Sequence, residues 1–175
     1  FRYTQDTIDA ELKKSKEDFI LHFRSAYTDD YPPAWMIAEI LPLGLLCRIY
    51  TNLKDNVIKK RVAQHFGLQV PVFSSWIVIL AGLRNMCCHH CRTWNRELAT
   101  ITTEPRRTKY GWIDSSRTDK RRMYYRICMI RYFLYTVSPN NSFKDKLKTL
   151  LAAYPNIDTA AMGFPSDWES EDIWK

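Results

Sequence analysis

The sequence predicts an all-α fold, a helical bundle of about six helices followed by an irregular C-terminal tail. Apolar residues recur every three or four positions over several long segments, as on one face of a helix. The 175 residues include only five glycines, and no segment alternates apolar and polar residues as a half-buried strand does. A hydrophobic share of 46% with many aromatic residues predicts a globular chain that buries a core.

Two helices are predicted in the N-terminal part. Residues 6–26 carry an apolar stripe between charged faces, formed by Ile8, Leu12, Phe19 and Phe23. A second helix, over 34–53, follows Pro32, since proline is favoured in a first helical turn. Pro42 and Gly44 lie inside this helix, and we expect them to kink or divide it.

Two further helices are predicted in the middle of the chain. The third covers 55–66 and stops at Gly67, because glycine readily adopts the left-handed conformation that ends helices. The fourth is the longest, capped by Ser74 or Ser75 and continuing to about Leu98.

The remaining chain contains an exposed connection and two helices. Residues 102–118, rich in Pro, Thr and Arg, are expected to form the connection. The fifth helix spans 119–137 and the sixth spans 143–154, after a Pro-Asn-Asn-Ser break. The tail, 155–175, is expected to pack on the bundle through Phe164, Trp168 and Trp174.

The length predicts a single domain over 1–175. Because the chain begins at Phe1, we expect it to be a fragment of a longer protein. There are five cysteines: Cys47, Cys87, Cys88, Cys91 and Cys128. Their number is odd and no secretory signal precedes them, so we expect reduced thiols and a cytoplasmic location rather than a disulfide framework. No membrane-spanning helix is expected.

The net charge of +7 is concentrated in one stretch. Eight cations lie there against Asp114 and Asp119: Arg106, Arg107, Lys109, Arg117, Lys120, Arg121, Arg122 and Arg126. Such a stretch is suited to binding a polyanion, for which nucleic acid is the first candidate and an anionic membrane the second. A solvated surface without a partner has the same composition. Four aromatic residues among these charges are candidates for stacking on bases, and for Tyr124 we favour core packing: Tyr110, Trp112, Tyr124 and Tyr125.

The fourth helix is predicted to present one polar strip. At about 100° per residue, its polar residues fall within roughly 140° of arc: Arg84, Asn85, Cys88, His89, Arg92, Asn95 and Arg96. A solvated face usually contains Lys and Glu, but this helix has no lysine and only Glu97. Arginine matches phosphate oxygens and histidine titrates near neutral pH, so the strip suits a phosphodiester. His90 falls on the apolar side and is expected to be packed.

Two other chemistries were weighed for this helix. A zinc site would need Cys87 and Cys91 on one face plus ligands from elsewhere, because consecutive helical residues diverge by about 100°. A Cys-His nucleophile is disfavoured because Cys88 and His89 are adjacent and diverge. We therefore expect no metal and no other cofactor.

The segment Arg84-Asn85-Met86-Cys87-Cys88-His89 has the Arg-x4-His spacing of the HEPN superfamily of helical RNases and RNA-binding domains. The longer string from Leu83 to Arg96 resembles the central signature of the Abi-like (abortive infection) family of bacterial phage-defence proteins. Further stretches resemble the family in order, from about Pro32 to Trp174, including Met162-Gly163-Phe164-Pro165; residues 1–31 match least.

The resemblance implies a HEPN-type bundle that cuts RNA without a metal, leaving 2′,3′-cyclic phosphate and 5′-hydroxyl ends. It implies that Arg84 and His89 are catalytic, and Asn85, one turn before His89, is a third candidate. Seven residues are expected to bind substrate: Arg92, Asn95, Arg96, Arg106, Arg107, Arg121 and Arg122. Cys87-Cys88 replaces the small residues expected within the motif.

A homodimer with a composite site is expected, because acid and base catalysis together need two histidines unless water or a neighbour of the 2′-hydroxyl takes one of the two roles. RNA is the expected partner as substrate. An inhibitory RNA or an antitoxin is a further candidate partner, and binding to a membrane is not expected. Glu39 was considered as a buried partner of an arginine. The alternatives left open are a non-catalytic module that binds RNA or protein, and a scaffold in a toxin–antitoxin pair.

Overall fold

The protein is described here from a computed structural model, which covers residues 2–175. These residues form eight α-helices and three short 3-10 helices, with no strand in the range described, so the predicted all-α class is confirmed. The chain divides into two compact units, one reaching to Leu53 and one spanning Lys54–Lys175. The extra helices arise because each of the first two predicted helices is split.

The N-terminal unit contains four helices: α1 (Arg2–Lys14), α2 (Asp18–Ala26), α3 (Ala34–Ile40) and α4 (Leu43–Thr51). Its core side chains come from all but the third helix and from the connection after it: Leu12, Ile20, Phe23, Leu41, Leu45, Cys47 and Tyr50.

The two breaks in this unit have local causes. The single helix predicted over 6–26 is wrong because the chain turns at Ser15, whose hydroxyl accepts a hydrogen bond from the backbone N–H of Glu17 at 3.3 Å. A serine side chain that binds nearby backbone competes with helix continuation. The predicted division at Pro42 is confirmed: this residue precedes α4 with φ −56°, and its missing N–H prevents α3 from continuing.

The C-terminal unit contains the other four helices: α5 (Asn56–His65), α6 (Val70–Cys88), α7 (Met123–Val137) and α8 (Phe143–Ala153). The three 3-10 helices of the described range lie in the tail: Ala160–Met162, Trp168–Ser170 and Asp172–Trp174.

Both ends of α5 follow from sequence. Asp55 caps the start, accepting hydrogen bonds from the N–H groups of Val57 at 2.7 Å and Ile58 at 3.2 Å. Gly67 ends the helix in the left-handed region at φ +66°, as predicted. The N–H of buried Leu68 binds the carbonyl of Ala63, five residues back, which completes a Schellman motif.

Both ends of α6 differ from the prediction. The helix begins at Val70 with Pro71 in its first turn, not at Ser74 or Ser75, and it ends at Cys88 rather than near Leu98. By length and hydropathy α6 also meets the requirements of a membrane span, contrary to the expectation from sequence that no such helix is present. Core helices meet the same requirements, and six α6 side chains are buried: Val72, Phe73, Trp76, Ile79, Ala81 and Leu83.

The connection between α6 and α7 runs back along α6. The Nε1 of Trp76 donates to the carbonyl of Thr103 at 3.0 Å, and the N–H of Thr103 donates to Ser75 Oγ at 3.1 Å. Further along, the Nε2 of Gln69 donates to the carbonyl of Arg107 at 3.3 Å. The connection therefore leaves α6 at its C-terminal end and reaches its N-terminal end at Arg107.

The core of this unit centres on α7 and the tail. Trp174 is fully buried, and its Nε1 donates to the hydroxyl of buried Tyr124 at 3.1 Å. The ring of Phe164 packs on Tyr124 with centroids 4.6 Å apart, and Trp168 lies edge-on to Trp174. These contacts fix the tail against α7.

Candidate functional site

The C-terminal end of α6 is closed by a Schellman motif without glycine. His89 is the C-cap, and His90 occupies the left-handed region at φ +54°. The N–H of His90 binds the carbonyl of Cys87 at 3.0 Å, and the N–H of Cys91 binds that of Met86 at 2.9 Å. His90 is exposed, so the prediction that it is packed in the core is wrong. The motif turns the chain sharply away from the helix.

This ending places Arg84, Asn85 and His89 together on an exposed surface. Arg84 Nη1 donates to Asn85 Oδ1 at 3.3 Å, which holds the guanidinium beside the amide. The N–H of His89 binds the carbonyl of Asn85 at 3.0 Å, one helical turn back. The three residues predicted as catalytic therefore stay within one turn and a half of helix and are open to a ligand.

Asn85 does not orient the His89 ring in this structure. Its Oδ1 is occupied by Arg84, and no side-chain hydrogen bond reaches the imidazole of His89 from any residue in the described range.

The predicted strip does not continue beyond His89. Because α6 ends at Cys88, Arg92, Asn95 and Arg96 lie in an irregular segment and share no helix face with Arg84. The residues after Cys88 are mostly poor helix formers, and the left-handed residue at 90 excludes helix continuation. The prediction that these three residues continue the polar strip on the same helix is therefore wrong.

Asn95 and Arg96 have other surroundings. Asn95 is itself left-handed at φ +44°, and its Oδ1 accepts a hydrogen bond from Arg122 Nη1 at 3.3 Å. Arg96 lines a cavity of about 380 Å³ beside α6, together with Gly82 and Met86. Arg92 is exposed. Of these three, Arg92 remains the simplest candidate for a flanking phosphate.

Several cations of the basic stretch are already paired with carboxylates. Arg121 Nη1 lies 2.6 Å from Glu97 Oε1, and this hydrogen bond raises the pKa of Arg121. Arg122 Nε lies 3.9 Å from Asp119. Such pairs reduce the positive charge available to RNA, so Arg121 and Arg122 are weaker candidates for substrate binding than their sequence position indicated.

Arg106 and Arg107 are exposed but lie at the other end of α6. Arg107 is tied to Gln69, the residue before the first turn of α6. The 19 residues of α6 separate this end from His89 by about 27 Å, at about 1.5 Å per residue. These two arginines therefore cannot contact the phosphate that Arg84 and His89 contact within one chain.

Arg126 is fully buried, so it does not contact RNA. It donates hydrogen bonds to the carbonyls of Lys120 and Thr100, and burial lowers its pKa. Its role is to join the connection to the start of α7.

The aromatic residues of the basic stretch pack in or against the core of the C-terminal unit. Tyr124 and Tyr125 are fully buried, which confirms core packing for Tyr124 and excludes base stacking for both. Trp112 packs on Trp76 with ring centroids 4.7 Å apart, and Tyr110 stacks on Tyr135 at 5.1 Å. Aromatic faces occupied in this way are not available to unpaired bases.

Two other expectations can be compared with the structure. Glu39 is exposed, so it is not the buried partner of an arginine that was considered. Among residues 2–175, no group of three or more His, Cys, Asp or Glu side chains could hold a metal ion, although Cys87, Cys88 and Cys91 are all exposed.

The chain was compared with known proteins. A family model described as "Abi-like protein" matches residues 2–95, which is more than half of the chain and includes Arg84 and His89. The chain belongs to the Abi-like family. Membership suggests a role in abortive infection, a form of phage defence. No curated protein and no solved structure matches this Abi-like chain.

The extent of the family match differs from the resemblance read from the sequence. The match begins at residue 2, so it includes the N-terminal helices that resembled the family least. It ends at Asn95, so it does not extend to the Met162–Pro165 stretch. The Abi-like region therefore contains the whole N-terminal unit, α5, α6 and the Schellman turn.

Proposed function

We propose that this Abi-like chain is a metal-independent endoribonuclease of the Arg-x4-His, HEPN type, acting as the toxic effector of abortive infection. The observation that carries the proposal is the exposed group of Arg84, Asn85 and His89 at the end of α6. Guanidinium, amide and imidazole within one surface can bind a phosphodiester and exchange protons with it.

The proposed reaction uses the RNA's own 2′-hydroxyl. Its oxygen forms a bond to the adjacent phosphorus while the bond from phosphorus to the 5′ oxygen breaks. A base removes the 2′ proton, and an acid supplies a proton to the leaving 5′ oxygen, which leaves a 2′,3′-cyclic phosphate and a 5′-hydroxyl. His89 is proposed as one of these two groups, since histidines titrate near neutral pH.

Arg84 is proposed to stabilise the charge that develops on the phosphorane. Its planar fork matches two phosphate oxygens, and an aligned donor of this kind contributes about 10²- to 10³-fold to kcat in other enzymes. Asn85 holds the guanidinium through the 3.3 Å hydrogen bond and acts as a positioning residue.

A second copy of the chain is proposed to complete the site. No side chain among the described residues hydrogen-bonds the ring of His89, and the reaction needs both an acid and a base. Two α6 ends related by a two-fold axis would supply two histidines and two arginines to one phosphodiester.

The same observation favours one alternative. An imidazole without an orienting partner also suits a module that binds RNA or protein without cleaving it. Such a module needs the cation of Arg84 for affinity and does not need proton transfer by His89.

The test is RNA cleavage in the presence of EDTA, followed on a labelled RNA of mixed sequence. We expect the unmodified protein to cleave, Arg84→Ala to lose about 10²- to 10³-fold in rate, and His89→Ala to lose about 10²- to 10⁴-fold. Arg61→Ala on α5 and His22→Ala on α2 are matched controls, because both residues are exposed and lie outside the site. Both controls should retain full activity.

Three results would each contradict a part of this proposal. Tight RNA binding without cleavage supports the module, and cleavage that survives His89→Ala removes the proposed proton transfer. Cleavage abolished by EDTA and restored by a divalent metal contradicts the metal-independent mechanism.

A further inference from the structure

A groove with only basic charges lies at the end of α6 opposite His89. It encloses about 690 Å³, and the charged side chains that line it are Lys60, Arg107 and Lys109. A second cavity of about 550 Å³ shares the wall formed by Gln69, Pro71 and Arg107 and adds Arg106. The two cavities together exceed the usual volume of a pocket for one small molecule, about 300 to 1,000 Å³.

The groove is built by contacts that fix its walls. The hydroxyl of buried Tyr132 accepts a hydrogen bond from the N–H of Lys109 at 3.1 Å and donates one to the carbonyl of Phe66 at 3.0 Å. Gly67 faces Lys109 so closely that an added Cβ would collide with the Cβ of the lysine. The end of α5 and the segment around Lys109 are therefore held together before any ligand arrives.

The cations of the groove are not neutralised by the protein. None of the ion pairs found among the described residues includes Lys60, Arg106, Arg107 or Lys109. The one carboxylate at the margin, Glu104, is paired with Lys120, which lowers the pKa of Glu104. This differs from Arg117, which is paired with Asp167 and Glu171.

We infer that this groove binds the phosphates of single-stranded RNA, as a site separate from the cleaved phosphodiester. The inference rests on the proposed function for its choice of polyanion. The groove is also lined by the amides of Gln64 and Gln69 and the apolar surface of Pro71, so ribose and base as well as phosphate find partners there.

The position of the groove sets the length of RNA that uses it. Groove and His89 are separated by the length of α6, about 27 Å. At about 3.4 Å per nucleotide of a stacked strand, one RNA needs about eight nucleotides to reach both, and fewer if it is extended. An RNA of three nucleotides reaches only one of them.

The experiment compares two triple variants of equal charge loss. One is Lys60→Gln, Arg107→Gln and Lys109→Gln in the groove, and the other is Lys13→Gln, Lys16→Gln and Lys146→Gln on exposed surface elsewhere. Binding of a fluorescent 20-nucleotide RNA is measured between 50 and 300 mM salt, on a His89→Ala background so that cleavage does not intervene. Circular dichroism and thermal unfolding establish that each variant folds.

We expect the groove variant to lose at least tenfold in affinity, and the slope of log K against log salt to fall by about two, at about 0.7 per phosphate contact for single strands. In the surface variant, the affinity and the salt slope should both change much less. A three-nucleotide RNA cannot bridge the groove and His89, so the groove variant should lose less affinity for it than for the 20-nucleotide RNA.

The outcomes separate this inference from the nuclease proposal. Equal losses in the two variants overturn the groove, whether or not the protein cleaves RNA. A groove-specific loss of binding in a protein that never cleaves RNA supports the groove and contradicts the nuclease. Unchanged RNA binding together with groove-dependent binding to anionic vesicles overturns the inference in favour of a membrane surface.

Discussion

His90 is the most unusual residue of the candidate site. It adopts φ +54°, a conformation that is costly for a residue with a Cβ, immediately after His89. Glycine is the usual occupant of this position in a Schellman motif. Strained residues of this kind cluster at functional sites, which fits the neighbouring Arg84 and His89.

His90→Gly should therefore stabilise the protein by about 1 kcal/mol, since glycine adopts the left-handed conformation without the Cβ penalty. Urea denaturation measures this change. His22→Gly, in the middle of α2, is the matched control and should destabilise by about 0.5 to 1 kcal/mol. A loss of stability in both variants would contradict the assigned conformation.

The cysteines should differ sharply in reactivity. Cys87, Cys88 and Cys91 are exposed, whereas Cys47 and Cys128 are buried, and burial raises the pKa of both buried thiols. Because the thiolate is the reactive form, iodoacetamide at pH 8 should label only the exposed three in the native protein and all five in denaturant. Peptide mass spectrometry reads the sites, and rapid native labelling of Cys128 would contradict the described core.

At the scale of helices, the two Schellman motifs show what sequence can and cannot predict. The end of α5 is predictable because Gly67 supplies the left-handed residue. The end of α6 is not predictable, because His90 occupies the left-handed position of the Schellman motif and no glycine or proline follows it. The run of poor helix formers from His89 to Asn95 is the signal that was available.

This difference decides which of the candidate site residues the structure brings together. Arg84, Asn85 and His89 lie before the turn, so helical spacing places them together. Arg92 and Arg96 lie after it, where the connection between helices sets positions that spacing does not encode. Lys60 shares a groove with Arg107 only through tertiary contacts, so no sequence pattern indicates it.

Tyr132 joins two elements through one hydroxyl, and Tyr132→Phe should destabilise the protein by about 1 to 3 kcal/mol. The change leaves the N–H of Lys109 and the carbonyl of Phe66 without a partner in a partly buried place. Tyr154→Phe, at an exposed residue, is the control and should have little effect. Chemical denaturation of both variants tests this, and equal stability would show that the hydroxyl does not hold the groove walls.

At the scale of the whole molecule, the charge is divided between paired and free cations. Three of the paired cations of the basic connection bind carboxylates within the connection, as Lys120 does with Glu104, and Arg117 joins the connection to Asp167 of the tail. The groove cations and Arg84 are among the cations that none of the ion pairs of the described residues includes. The net charge of +7 therefore predicts a polyanionic partner, while only the structure shows which cations are free to bind it.

The proposed composite site requires a dimer of the 20.8 kDa chain. Sedimentation equilibrium should show a reversible dimer in the concentration range in which the protein is active, and specific activity should fall as the dimer dissociates on dilution. A monomer that retains full specific activity would contradict the composite site and leave His89 to act with one chain alone.

The central claim is that Arg84 and His89 direct the 2′-hydroxyl of RNA against its own phosphate. The most direct measurement uses an RNA with one cleaved position and a matched strand carrying a single 2′-deoxy nucleotide there, with product ends identified by mass spectrometry. The account predicts a 2′,3′-cyclic phosphate from the first strand and no cleavage at that position in the second. Equal cleavage of both strands, or a 5′-phosphate product, would contradict it.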